Sequence, residues 1–342
     1  MASAKTSLII TTIGSLNKAL REFGILCAKN DVEFIVIGDK KTKPELSDLF
    51  TQYQNEHRFK GGYYTADQQE QMKLKIVSVL PFNHYTRKNI GYLLAIKNYA
   101  EVILETDDDN YPQGNYTFLR SNRITGNVVS HIGWVNVYRY FTAEHIWPRG
   151  FPLELITKEN PKLGSTKSVH SPIQQYLANK NPDVDAVYRL VINKELDFND
   201  LSQPVVLDPY SWCPFNSQNT AWFKEVFPLL YLPSTCSFRM TDIFRSYVAQ
   251  RILWTMDSHL SFGNATAYQD RNEHSLIRDF QDEISGYLND KKIIQILTDG
   301  ELKNGKENLQ ENLLRCYRML VEKNILQKEE LPIVDAWIED LQ

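Results

Sequence analysis

The chain has 342 residues, 42% of them hydrophobic, and a formal net charge of −4. That content fills one large core or two modest ones, and a mildly acidic chain lacks the basic face of a general nucleic-acid binder. Four cysteines (Cys27, Cys213, Cys236, Cys316) lie far apart without a CxxC pair, which excludes a zinc ribbon or a secreted disulfide framework and points to reduced thiols in a cytoplasm.

In chain order, residues 7–12 read as a strand, 16–28 as an amphipathic helix and 34–37 as a second strand ending in Gly38-Asp39-Lys40. The opening apolar run is too short for a membrane anchor, so no integral membrane segment is expected. Residues 41–72 are polar and hold a short helix or two and a loop. Residues 75–80 (KIVSVL) predict a strand, and 85–100 a helix with Ile90, Leu93, Leu94 and Ile96 on a broad apolar face. Val102, Ile103 and Leu104 form a buried strand. The order β-α-β, variable segment, β-α-β predicts an α/β class, a mostly parallel sheet flanked by helices. No GxGxxG follows the first strand and no P-loop is present, which disfavours a dinucleotide or a P-loop site.

The strand at 102–104 leads to Asp107, Asp108 and Asp109. Three adjacent carboxylates repel one another and must be solvated or bind a cation. They fall at a strand's carboxyl end, where open α/β sheets bind ligands. One reading is a solvated acidic turn closed by Asn110 and Pro112. A calcium loop fails on spacing, since the glycine position is Pro112 and the twelfth is Phe118. The reading with chemistry puts Asp107 and Asp109 on one side of a continuing strand and Asp108 on the other. One side then holds Mn²⁺ or Mg²⁺ against a diphosphate, with the metal as Lewis acid for the leaving group.

Arg87, Lys88 and Asn89 open the helix after 85, where an anion is favoured; Lys88 alone reads as an exposed first-turn residue. Arg149 sits in a loop fixed by prolines and a glycine, where it meets a ligand anion or stacks on Trp147. Arg189 is either a similar ligand or a structural ion pair. A helix at 243–256 follows Thr241-Asp242, both good N-caps. The last sixty residues read as helices at 275–288, 292–297, 308–323 and 331–341. They are expected to cover the catalytic domain (1–275) or form an oligomer interface, the division falling at 276–342.

Residues 80–109, LPFNHYTRKNIGYLLAIKNYAEVILETDDD, resemble the signature of the STELLO-type glycosyltransferase family. There an LPYxxYxRKxxGYLxAIxxGA stretch leads to a strand and an acidic cluster. WPRGFPL, DVDAVYRL, PFNSQNT, FRMTDIFRSYVAQRILW and QDRNEH follow as further echoes in the same order, covering roughly residues 5–285. The resemblance implies a GT-A fold, a nucleotide-sugar donor, and a metal held by Asp107 and Asp109. A late His274 joins as a metal or diphosphate ligand. Asp108 then faces the donor ribose or sugar, and Thr12 and Asp39 meet the base and ribose. Arg87, Asn89, Arg149, Arg189 and Asn219 complete the donor side, Asn219 on the family match alone. Asp242 is implied as the base of an inverting transfer, with N-capping the equal alternative. The implied function is sugar transfer to a hydroxyl acceptor in glycan or polysaccharide assembly. The alternatives are a nucleotide-sugar mutase and a non-catalytic nucleotide-sugar-binding scaffold. Eukaryotic members carry an N-terminal anchor that is not read here, so a cytoplasmic location is expected.

Overall fold

The computed structural model describes residues 5–118, 120–272 and 275–342. Its strands are β1 (Thr6–Thr11), β2 (Glu33–Ile37), β3 (Lys60–Tyr64), β4 (Val102–Thr106), β5 (Asn110–Pro112), β6 (Arg123–Val129), β7 (Gly133–Trp134), β8 (Thr166–His170), β9 (Ile173–Asn179), β10 (Val205–Leu207), β11 (Ser211–Trp212), β12 (Asn219–Phe223) and β13 (Leu260–Gln269). The helices are α1 (Lys18–Asn30), α2 (Leu46–His57), α3 (Ala66–Glu70), α4 (Lys88–Lys97), α5 (Tyr138–Phe141), α6 (Ala186–Val191), α7 (Thr241–Leu253), α8 (Leu276–Asp299), α9 (Leu309–Glu322) and α10 (Glu330–Asp340).

The main sheet runs β3-β2-β1-β4-β12-β9-β13-β10-β6-β8, with β5 added beside β13. β3, β2, β1 and β4 are parallel, as the helical crossovers α1, α2 and α4 require. β12 then reverses against β4, β9 reverses again, and β13 runs parallel to β9. The carboxyl ends of β1, β2, β4, β9 and β13 and the amino end of β12 therefore share one edge. The α/β class read from the sequence is present.

Successive strand residues serve opposite faces. Ile9, Ile35 and Ile103 join the core under α4, α7 and the C-terminal helices. Leu8, Ile10, Phe34, Val36 and Leu104 join the core under α1 and α2. Gly91 lets α4 lie close on the sheet, because a Cβ there would stand 2.7 Å from Ile9 Cγ2 and 3.0 Å from Ile37 Cγ1.

Three expected elements differ. Residues 75–80 do not form a strand; Lys75–Ser78 is a 3₁₀ turn. Its Lys75 and Ile76 amides donate to the Asp340 carboxylate at 2.9 and 2.8 Å, so the β-branched run buries itself under α10 instead of joining a ladder. The edge strand is β3, concealed in the sequence by two glycines. Gly61, at φ +98°, has no room for a side chain, since a Cβ would meet Phe34 O at 2.1 Å. The two helices expected at 275–297 are one, α8, unbroken through a buried Asp290.

α8, α9 and α10 bury Ile293, Leu297, Leu313, Tyr317, Leu320 and Trp337 in the same cluster as Phe244 and Val248 of α7. Of the two expected uses of that apolar face, these residues cover the sheet domain. Among the described residues no helix is long and apolar enough to cross a membrane.

Candidate active site

A cavity of about 930 Å³ opens along the shared strand edge. Sheet order fixes the order of its walls: Asp39 after β2, Thr12 after β1, Asp107–Asp109 after β4, Ser217 before β12, Asp183 after β9, Arg271 after β13.

The acidic triplet is a turn, not a continuing strand. β4 stops at Thr106, and the buried Asn110 side chain ties the turn to Thr106 Oγ1 (3.0 Å) and Gln218 O (2.7 Å). The three carboxylates consequently take three different sets of partners. Asp108 accepts from Thr12 Oγ1 at 2.5 Å, while Asn17, the N-cap of α1, holds its carbonyl at 2.7 Å. Asp109 accepts from Gln269 Nε2 at 3.0 and 3.1 Å. Asp107 accepts from Tyr85 Oη at 2.7 Å and Lys88 Nζ at 3.3 Å. Lys88 is thus fully buried, contrary to the exposed role read from the sequence. One helical turn after Tyr85, it reaches under the sheet edge and also donates to Thr106 O.

Burial raises the Asp107 carboxyl to about 6; Lys88 and Tyr85 pull it down, Asp109 and Asp242 push it up. Burial likewise raises Asp108. The turn is short of positive charge. Among the described residues no group of three or more His, Cys, Asp or Glu is arranged to hold a metal. Asp107 and Asp109 are hard oxygen donors, suited to a cation that takes one or two carboxylates and completes its shell with water and phosphate, the habit of Mg²⁺. His274 lies outside the described residues.

The opposite wall is built on Arg149. Gly150 adopts φ +85°, which a side chain would block by meeting Ile243 Cγ2 at 2.4 Å. The turn aims Arg149 at two carboxylates, Asp183 (2.8 and 2.9 Å) and Asp242 (3.0 and 3.1 Å). Trp147 does not stack on it; the indole N–H donates to Asp185 at 2.7 Å.

Asp242 makes no side-chain cap to α7. Its Oδ2 accepts from Ser217 N and Oγ, both at 3.1 Å. Burial alone would raise its pKa, but Arg149, Arg245 and the Ser217 amide outweigh that and hold it well below the usual carboxylate range. Ser217 Oγ also lies 2.5 Å from Tyr85 Oη. A hydrogen-bonded chain, Asp107–Tyr85–Ser217–Asp242, therefore joins the acidic turn to the arginine wall. The sequence did not single out Tyr85 or Ser217 individually, although each sits inside a matched segment.

Arg87 lines the cavity but is held from behind by Gln69 Oε1 (2.6 and 2.9 Å) and lies 4.2 Å over the Phe82 ring. Two expected donor residues do not reach the cavity. Asn89 bridges the Leu232 amide and carbonyl at 2.9 Å each, and Asn219 donates within the sheet to Thr266 Oγ1 and Leu177 O. Both amides satisfy buried backbone or hydroxyl groups, which sequence cannot tell from ligand contacts. Arg189 lines the cavity beyond Asp183, on the β9 side.

An open α/β sheet with polar groups gathered across its strand ends defines an enzyme-type ligand crevice. Known glycosyltransferases are similar to the chain. The family model of the STELLO glycosyltransferases matches residues 239–342. Over 311 residues the chain is 27% identical to Probable glycosyltransferase STELLO2 of Arabidopsis thaliana, covering 82% of this chain and 39% of that protein. Probable glycosyltransferase STELLO1 of the same plant is 26% identical over 309 residues, covering 82% and 38%. The chain is a relative of these STELLO glycosyltransferases and spans about two fifths of their length. Two solved structures align at TM-scores too low to define a shared fold. A mycobacterial protein, 11% identical, covers 92% of this chain and 76% of its own at 0.40. The glycosyltransferase GlyE of Streptococcus pneumoniae TIGR4, 12% identical, covers 37% and 30% at 0.23.

Proposed function

We propose that this chain is a metal-dependent glycosyltransferase that moves a sugar from a nucleotide donor to a hydroxyl acceptor. The observation that carries this reading is the charge-deficient carboxylate turn at the middle of a 930 Å³ crevice, flanked by the β1 and β2 ends and by an arginine wall. Thr12 and Asp39 are assigned to the nucleoside end. Asp107 and Asp109 hold Mn²⁺ or Mg²⁺, which supplies Lewis-acid stabilisation of the leaving diphosphate. Asp108, bonded to Thr12, fixes the turn relative to the nucleoside end, and Tyr85 and Lys88 orient Asp107.

Asp242 is the candidate base of an inverting transfer, and its partner sets a condition. A carboxylate held that far below neutrality accepts a proton poorly. Arg149 must therefore turn from Asp242 toward substrate before Asp242 can act. The four cysteines are free thiols, in keeping with a reducing, cytoplasmic setting.

The test is nucleoside diphosphate release from a panel of nucleotide sugars with Mn²⁺. Asp107→Asn and Asp109→Asn should each abolish the metal-dependent release; Asp109→Asn should melt no lower because carboxylate repulsion is relieved, whereas Asp107→Asn also takes the charge partner from buried Lys88. Normal metal-dependent turnover in both variants would overturn the assignment.

A further inference from the structure

Arginines dominate the cavity's far end, and three of the described ones there are ion-paired. Arg149 is shared by Asp183 and Asp242, Arg239 pairs with Glu283 at 2.7 Å, and Arg271 pairs with Asp279 at 2.6 Å. Arg189 differs. It is 3% exposed, and its guanidinium donates to neutral oxygens, Asn181 Oδ1 at 3.1 Å and Pro182 O at 2.8 Å, with no described carboxylate at ion-pairing distance. Burial, and then the like charge of Arg271, bring its pKa down to about 10. A buried cation without a counter-ion is costly, by several kcal/mol in general. It is retained at no such cost where an arriving anion completes it.

Its place in the sheet says which anion. Asn181 and Pro182 follow β9, and β9 stands two strands from β4. At about 4.8 Å per strand, that is about 10 Å from the acidic turn. A nucleoside at the β1 and β2 ends, with its diphosphate on the turn, directs its sugar toward β12 and leaves the β9 end to the acceptor. The sequence placed Arg189 with the donor; strand order moves it to the opposite end.

We propose that Arg189 is the centre of an acceptor subsite and that the acceptor carries a phosphate group in addition to the hydroxyl it offers. The proposal rests on the glycosyltransferase reading. Arg239 and Arg271 are already paired, and Asp183, which opposes the charge of Arg189, is held by Arg149; the guanidinium is left to take a phosphate in its bidentate geometry. The phosphate can belong to a soluble ester or to a lipid. Exposed Leu190, Val191 and Ile192 directly follow Arg189, so both sources need testing.

The experiment is calorimetric titration of inorganic phosphate into the full chain already saturated with UDP or GDP and Mg²⁺. Phosphate should bind alongside the nucleotide. Arg189→Gln should weaken phosphate at least tenfold and leave nucleotide affinity within twofold, while Arg189→Lys keeps part of the phosphate binding. Because the buried charge has no partner, Arg189→Gln should melt no lower than wild type. Glucose 1-phosphate and geranyl phosphate then compete for the site: displacement by both marks a headgroup site, and displacement by geranyl phosphate alone marks a lipid acceptor. Phosphate that displaces the nucleotide, phosphate that does not bind, or a variant that loses both ligands alike would each overturn the subsite. Wild-type protein that binds neither UDP nor GDP would remove the glycosyltransferase reading itself, and the subsite with it.

Discussion

Two arginine–carboxylate centres meet on α7, and they differ in what surrounds them. Behind the acidic turn, Arg245 grips Glu105 at 2.8 and 3.1 Å, Trp222 adds a 2.7 Å hydrogen bond, and Tyr92 bonds the second carboxylate oxygen. Both charged side chains are at most 1% exposed. One helical turn away, Arg149 divides itself between Asp183 and Asp242 at the wall of an open cavity, with each side chain about a tenth exposed. The first pair is sealed away from any ligand, and it fixes β4 against β12 and α7. The second sits where a substrate anion or hydroxyl can compete for it. The same chemistry therefore positions the site in one place and responds to ligand in the other.

The largest effect should come from breaking the closed pair. Arg245→Met leaves Glu105 buried and unpaired, and chemical denaturation should show a loss of about 3–5 kcal/mol. Adding Glu105→Gln should recover most of it, since an uncharged pair of similar volume restores the balance. No recovery would mean that Arg245 contributes through packing on Trp222 rather than through its charge.

The open pair should cost less stability and more activity. Asp242→Asn keeps one acceptor oxygen for Ser217 but turns an N–H donor toward Arg149, which retains Asp183, so unfolding should shift by about 1–3 kcal/mol. If Asp242 takes the acceptor proton, turnover falls by about 10²–10⁴ with nucleotide affinity preserved. Wild-type turnover in this variant would leave Asp242 as the counter-ion of Arg149 and nothing more.

A third carboxyl sharpens the contrast because it has no arginine at ion-pairing distance. Asp185 caps α6, accepts from Trp147, and is pushed by burial up to about 7. A folded-state value above the unfolded one means that its contribution is complete below about pH 4 and is lost as pH rises toward 7. Asp185→Asn removes that dependence. The wild-type melting temperature minus that of the variant should fall steadily from pH 4 to 7. A constant difference would show that Asp185 is ionised throughout.

The parts of the fold legible in the sequence are those with an apolar pattern. The continuous apolar runs of β1, β2 and β4, buried on both faces, and the apolar face of α4 announce themselves because packing demands them. β3 does not, because its pairing depends on Gly61 fitting against Phe34. Residues 75–80 mislead, because their backbone is satisfied by Asp340, 265 residues away from Lys75. The site follows the same division. The acidic turn and most of its flanking arginines come together in one cavity. Asn89 and Asn219 do not, because an amide reads alike whether it binds a ligand or a buried carbonyl. Lys88 reads as solvent-exposed because nothing local reveals that its ammonium runs beneath the sheet edge to Asp107.

The contact between Asp340 and residues 75–76 also bears on how the chain is made. Until residue 340 has left the ribosome, the amides of Lys75 and Ile76 lack their acceptor, and Ile76 lacks the cover of α10. Glu330, which binds the amides of Ser234 and Thr235, completes a second early segment in the same late step. The first strands and helices can collapse during synthesis, but the surface around Ile76 stays uncovered until α10 has been made. A chain cut before α10 would leave the Lys75 and Ile76 amides without their acceptor.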